Sequence, residues 1–124
     1  MAWSAVGKIK SVDVDPCPQE PCVLKKGTNV TVHIDFTAGE NITAVKASVH
    51  GIIAEVPIPF PLKNPDGCKD SGLKCPLEAG KEFVYFSTIQ VLQSYPAIKL
   101  VIKWELVDQN GKDIACLEVP AQIQ

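Results

Sequence analysis

The stretch Ala97-Ile98-Lys99-Leu100-Val101-Ile102-Lys103-Trp104-Glu105-Leu106-Val107 decides the fold. Ile98, Leu100, Ile102, Trp104 and Leu106 fall on one side of an extended chain, and Lys99, Lys103 and Glu105 on the other. Successive strand side chains point to opposite faces, so this period of two predicts a β-strand with one buried face. Asn110-Gly111 follows, and both residues tolerate the positive φ of a tight turn. A second alternation from Ile114 to Ile123, with Leu117, Val119, Ala121 and Ile123 on one side, completes the expected hairpin.

Working outward, the same period recurs. Val30, Val32, Ile34 and Phe36 oppose Thr31, His33 and Asp35. Val45, Ala47, Val49 and Ile53 oppose Lys46, Ser48 and His50. Phe83, Tyr85, Ser87, Ile89 and Val91 form another mostly apolar face, and Val6 to Val14 makes a first strand. Turn signals at Lys26-Gly27, Ala38-Gly39, Pro65-Asp66-Gly67 and Ala79-Gly80 separate them. Six to seven short strands in 124 residues predict an all-β, two-sheet antiparallel sandwich.

The length allows one domain, residues 1–124, with one core. Twelve basic and fourteen acidic residues leave a net charge of −2 and no basic stripe, which argues against a nucleic-acid binder. No apolar run approaches the ~20 residues of a membrane-spanning helix. Ten prolines argue against long helices. The start, Met1-Ala2-Trp3-Ser4, lacks the apolar core of a signal peptide, so a targeting segment is expected to be absent from this chain.

Five cysteines form two close pairs, Cys17 with Cys22 and Cys68 with Cys75, each around a turn-rich segment. Disulfides are favoured over a metal site, because neither spacing suits a zinc knuckle and neither histidine lies near a cysteine in sequence. Disulfides imply an oxidising, secretory route. Cys116 is left as a buried free thiol, an intermolecular link or half of a bridge. Asn29-Val30-Thr31 and Asn41-Ile42-Thr43 are candidate glycosylation sites.

Val56-Pro57-Ile58-Pro59-Phe60-Pro61 cannot be a central strand, because half of these residues lack an amide donor. It is expected at an edge or rim. There Val56, Ile58, Phe60 and Leu62 either cap the end of the core, the plainer reading, or line the mouth of an apolar pocket. Nothing points to catalysis. His33 and His50 stand alone on polar faces, and the chain carries no nucleophile elbow, phosphate loop or metalloprotease helix. Neither a cofactor nor a metal is expected.

Several blocks together resemble one family: Cys17-Pro18-Gln19-Glu20-Pro21-Cys22, His50-Gly51-Ile52, Val56 to Pro61, Pro65-Asp66-Gly67-Cys68, Tyr95 to Val101 and Trp104-Glu105-Leu106. In this order they resemble the ML lipid-recognition family, and within it the lysosomal cholesterol carriers of the Niemann-Pick type C2 kind. The resemblance runs from about Val6 to Gln124. It implies an immunoglobulin-like sandwich whose sheets part at one end to admit a sterol tail first. Phe60, Val91, Tyr95 and Pro96 would sit at the entrance. Val14, Leu24, Val32, Val49, Ile53, Ile58, Ile98, Leu100, Ile102, Trp104 and Leu117 would line the interior. Ala54, Val56, Ile58 and Phe60 would face a partner, with His50, Gly51 and Ile52 a neighbouring membrane-facing spot or ordinary edge surface. The implied partners are cholesterol or a related sterol, the polytopic Niemann-Pick type C protein 1, and anionic lipid membranes met transiently by a monomer. The implied location is the secretory route and the late endosome or lysosome lumen.

The chain departs from the family in three places. The family pairs its last cysteine, here Cys116, with one near the N-terminus, where this chain has Ala2-Trp3. Without that bridge the N-terminal strand is expected to be less stable. The strand sequon of mammalian members is replaced around His33, and Leu117 stands where a tryptophan commonly lines the tunnel. Two other readings stay open. One is a related module for fatty acids, glycolipids or semiochemicals, which extraction of bound ligand would reveal. The other is a filled-core adhesion sandwich, which the lack of a cavity would reveal.

Overall fold

The computed structural model describes every residue except 1, 6, 16, 18–20, 61, 63, 64 and 70, and for Ala2 and Trp3 the backbone alone. Parts of both cysteine turns, of the proline block and of the expected first strand therefore lie outside the described residues. Among those described, nine strands form: β1 (Ala2–Trp3), β2 (Gly7–Asp15), β3 (Cys22–Leu24), β4 (Asn29–Ala38), β5 (Lys46–Ile53), β6 (Val56–Phe60), β7 (Glu82–Gln90), β8 (Lys99–Val107) and β9 (Asp113–Ile123).

They build two sheets. One runs β1-β9-β8-β5-β6, with β3 also paired to β9, and the other runs β2-β4-β7. The expected hairpin forms as β8 and β9, with Leu100 opposite Ala121 and Trp104 opposite Leu117. Its strand starts at Lys99 rather than Ala97, just after Ile98 O accepts the Ile123 amide at 2.9 Å. Gly111 carries the positive φ of the turn, at 79°. Asp108, at the start of that turn, is 6% exposed. Its Oδ1 accepts the amides of Asn110 and Lys112, both at 2.9 Å, so it organises the turn. The parallel pairing of β3 with β9 departs from the all-antiparallel expectation. Three residues are too few to show a period.

The core is the set of inward faces. Ile34, Phe36, Tyr85, Trp104 and Leu106 are 0% exposed, and Ile42 and Leu77 seal the side beside them. Both expected disulfides are present, Cys17–Cys22 and Cys68–Cys75. Cys116 is buried and unbridged, and its backbone partner across β1 and β9 is Trp3.

Candidate functional site

The two sheets differ in width, and the site follows from that. The proline-rich β6 is the edge strand of the wider sheet. Its register with β5 places Phe60 opposite Val49, Ile58 opposite Gly51 and Val56 opposite Ile53, so the three apolar side chains share the inner face. Only Phe60 is partly covered; Ile58 is 45% exposed and Val56 58%. Ile58, expected in the interior, therefore lies on the expected face but outside the core, because β6 sits at the edge of the wide sheet. An apolar strip leads from solvent to Phe60.

Beside Phe60 a cavity of about 480 Å³ opens between the sheets. This is within the ~300–1,000 Å³ usual for small-molecule sites. Phe60 and Leu62 wall one side; Leu24, Ile102 and Ile123 come from the wide sheet; Ile89, Val91, Leu92 and Tyr95 come from β7 and the loop after it. Asn29, Thr88 and Gln90 supply the polar rim. The Phe60 and Tyr95 rings meet at 5.4 Å between centroids. Backbone hydrogen bonds hold the wall: Gly27 N donates to Val91 O, Val91 N to Thr28 O, and Gln124 N to Leu24 O. Gly51 permits the close approach, since a Cβ there would lie 3.0 Å from both Phe60 and Leu100.

Of the residues expected to touch ligand, Phe60, Val91, Tyr95, Leu24 and Ile102 are brought together around the cavity. Val32, Val49, Leu100, Trp104 and Leu117 are buried in the core and do not line the cavity, and Val14 and Ile53 are partly buried against that core. Ile98 is half-buried and Pro96 exposed, outside the lining. These side chains pack on one another, so the gap stops short of them. Ile89 and Ile123 already lay on inward faces by their period, but nothing in that period distinguishes a wall from a core. Leu92 breaks the alternation directly after Val91, and the sequence carries no signal for it. Of the membrane-facing residues, His50 and Ile52 are half-buried, Ala54 is exposed and Gly51 is buried. Gly51 is thus corrected: its face is turned to Phe60. Ala54 and Glu55 form the β5–β6 turn with φ of 50° and 69°, a strained conformation for residues with a Cβ.

Asn29 stands at the cavity rim, and Asn41 Oδ1 accepts the Ala79 amide at 3.0 Å. On the outer face, Glu105, Asp113 and Cys116 bring possible ligand atoms within 4.8 Å of one another. Burial and the neighbouring Glu105 push Asp113 up to about 6, and burial raises the Cys116 thiol. This group is separate from the cavity. His33 packs against Phe86 at 6.2 Å between rings.

The ML domain family model matches residues 2–123. NPC intracellular cholesterol transporter 2 homolog a of Drosophila melanogaster is 49% identical over 98% of this chain and 83% of its own length. NPC intracellular cholesterol transporter 2 of Danio rerio is 46% identical, covering 97% of this chain and 80% of that protein. The crystal structure of a Niemann-Pick type C2 protein from Japanese carpenter ant matches with a TM-score of 0.92 and 36% identity, over 98% of this chain and 96% of that one.

Proposed function

The chain belongs to the ML domain family, and from that premise we propose that it carries a sterol in the gap between its sheets. The observation that supports this most is the apolar cavity walled by Phe60, Leu62, Ile89, Val91, Tyr95 and Ile102, reached along an exposed apolar strip. The names of its relatives describe cholesterol transport, a role that needs capture and release and no bond-breaking. The chain accordingly acts as a carrier, not an enzyme.

The mechanism follows from the walls. Apolar surface leaving water gains roughly 25 cal/mol per Å². Association costs on the order of 4–15 kcal/mol offset that gain, so binding is firm but reversible. The inserted end lies between Ile89 and Ile102. The polar end stays at the rim near Asn29, Thr88 and Gln90. Deeper insertion shifts the packing of Val49, Leu100, Trp104 and Leu117, which then join the lining. Val56 and Ile58, with Ala54 at the hairpin tip, are the surface that meets an acidic-lipid membrane or the polytopic Niemann-Pick type C protein 1. Cargo passes along this strip without crossing open water. The working place is the late endosome or lysosome lumen, reached by the secretory route that the two disulfides suit.

Native mass spectrometry of protein purified from sterol-containing cells tests the carrier reading. One bound sterol per chain, lost on delipidation and regained on adding sterol, is the expected result. A bound fatty acid or glycolipid in its place would move the assignment to another lipid, and an empty protein that refuses added sterol would refute the reading.

A further inference from the structure

The two lips of the cavity are unlike. The wide sheet brings an apolar lip, on which Val56 and Ile58 are exposed. The narrow sheet brings a polar one, where Asn29 stands at the rim beside Thr88 and Gln90. Asn29 opens β4 directly after a turn that Thr28 Oγ1 fastens by donating to Lys25 O at 2.6 Å. Val30 is buried in the core, so Asn29 and Thr31 turn outward by strand alternation. The register sets Gln90 opposite Asn29 and Thr88 opposite Thr31, and the two threonine hydroxyls meet at 3.0 Å. The outer side of this lip is polar and open to solvent.

Asn29-Val30-Thr31 is also an N-glycosylation acceptor sequence, with no proline in its middle position. The second such sequence, Asn41-Ile42-Thr43, lies elsewhere. Asn41 Oδ1 accepts the Ala79 amide, and Ile42 bridges Leu77 at the closed end. A glycan on Asn41 leaves the mouth clear, whereas a glycan on Asn29 springs from its lip. In the fold Thr31 is paired on both sides, with Asp15 of β2 and Thr88 of β7. The acceptor sequence is therefore open to a transferase before β4 pairs with its neighbours.

We infer that Asn29 is an N-glycan attachment site and that its glycan stands on the narrow-sheet lip of the cavity mouth. Asn29 Nδ2 forms a bond to the anomeric carbon of an oligosaccharide carried on a lipid pyrophosphate. The bond from that carbon to the pyrophosphate oxygen breaks, the lipid pyrophosphate leaves, and the Nδ2 proton passes to a base of the transferase. An N-glycan is bulky and hydrated. It fences the polar lip and leaves the apolar strip of β6 as the open approach. The inference rests on the secretory route proposed above and not on which lipid is carried.

The test uses the full chain secreted from insect cells behind a cleaved leader. Peptide mapping after glycosidase treatment in heavy-oxygen water is expected to find Asn29 converted to a labelled aspartate. Thr31→Val should lose the mass of one glycan, and Thr31→Ser, which keeps the acceptor sequence, should retain it. Thr31 is changed because Asn29 itself belongs to the rim, and circular dichroism confirms that each variant is folded. A mannose-binding lectin then locates the glycan. With Thr43→Val, which keeps the acceptor sequence at Asn29 alone, lectin should slow fluorescent-sterol transfer to vesicles; with Thr31→Val it should not. An unmodified Asn29 in the secreted wild-type protein overturns the inference, whatever the variants do. Lectin that binds the Thr43→Val protein and leaves transfer unchanged overturns the placement at the mouth. A protein that carries the Asn29 glycan and binds no sterol ends the carrier reading while the attachment site stands.

Discussion

The two ends of the sandwich are built from the same alternating strands and behave differently. At the β8–β9 turn end, Phe36, Leu106 and Ile114 meet with no exposure, and Ile42 and Leu77 close the side. At the other end, Phe60, Tyr95, Val91 and Ile89 surround about 480 Å³ of unfilled space. Hydrophobicity does not separate the ends. What separates them is what closes the gap: packed side chains and the Ile42–Leu77 bridge at one end, a proline-rich edge strand met across the cavity by Tyr95 at the other. A cavity here is a matter of where the sheets stop covering each other.

The largest effect should come from the closed end. Phe36→Ala removes a fully buried ring and should cost about 3–5 kcal/mol in urea unfolding, in line with other large-to-small core changes. A loss below 1 kcal/mol would mean that the closed end is as loosely filled as the open one. Phe60→Ala at the open end should leave the unfolding midpoint nearly in place and weaken fluorescent-sterol binding about tenfold, roughly 1.4 kcal/mol. Equal affinity would remove Phe60 from the site.

Smaller effects sharpen the contrast. Glu55 holds a φ of 69° in the hairpin beside the mouth. Such a conformation costs a residue with a Cβ roughly 1–2 kcal/mol, and glycine gives part of that back as unfolded-chain entropy. Glu55→Gly should therefore raise stability by up to about 1 kcal/mol, read as a higher urea midpoint. The smallest effect lies on the outer face. Burial and Glu105 push Asp113 up to about 6 in the fold, above the roughly 3.9 of a free aspartate, so between those values the folded state holds more protons than the unfolded one. Its contribution is fully present below about 4 and is lost as the pH rises through about 6. Lowering the pH from 7 to 5 should raise the melting temperature slightly, and Asp113→Asn should flatten that rise. A steeper rise in the variant would point to another group.

Much of the fold was legible in the sequence, because a half-buried strand writes its period into the chain. Ile98 to Leu106, Val30 to Phe36 and Leu117 to Ile123 all face as their alternation predicts. The three-residue β3 and its parallel pairing were not, since they depend on long-range contacts. The candidate site was legible only in outline. Phe60, Val91 and Tyr95, which the family resemblance singles out, line the cavity. Yet Ile89 and Trp104 carry the same inward signal, one as a wall and the other as packed core. Alternation reports which way a side chain points and says nothing of what lies across from it. Gly51 was misread for the same reason: a residue without a side chain cannot show its face.

The account depends most directly on the gap that Ile89 and Ile102 line from opposite sheets. The measurement is a fluorescent-sterol titration of the doubly substituted Ile89→Trp, Ile102→Trp protein, with its fold checked by circular dichroism. Two indoles in that space should abolish saturable binding while the strands remain. Sterol bound with wild-type affinity by the filled protein would place the ligand somewhere other than between the sheets.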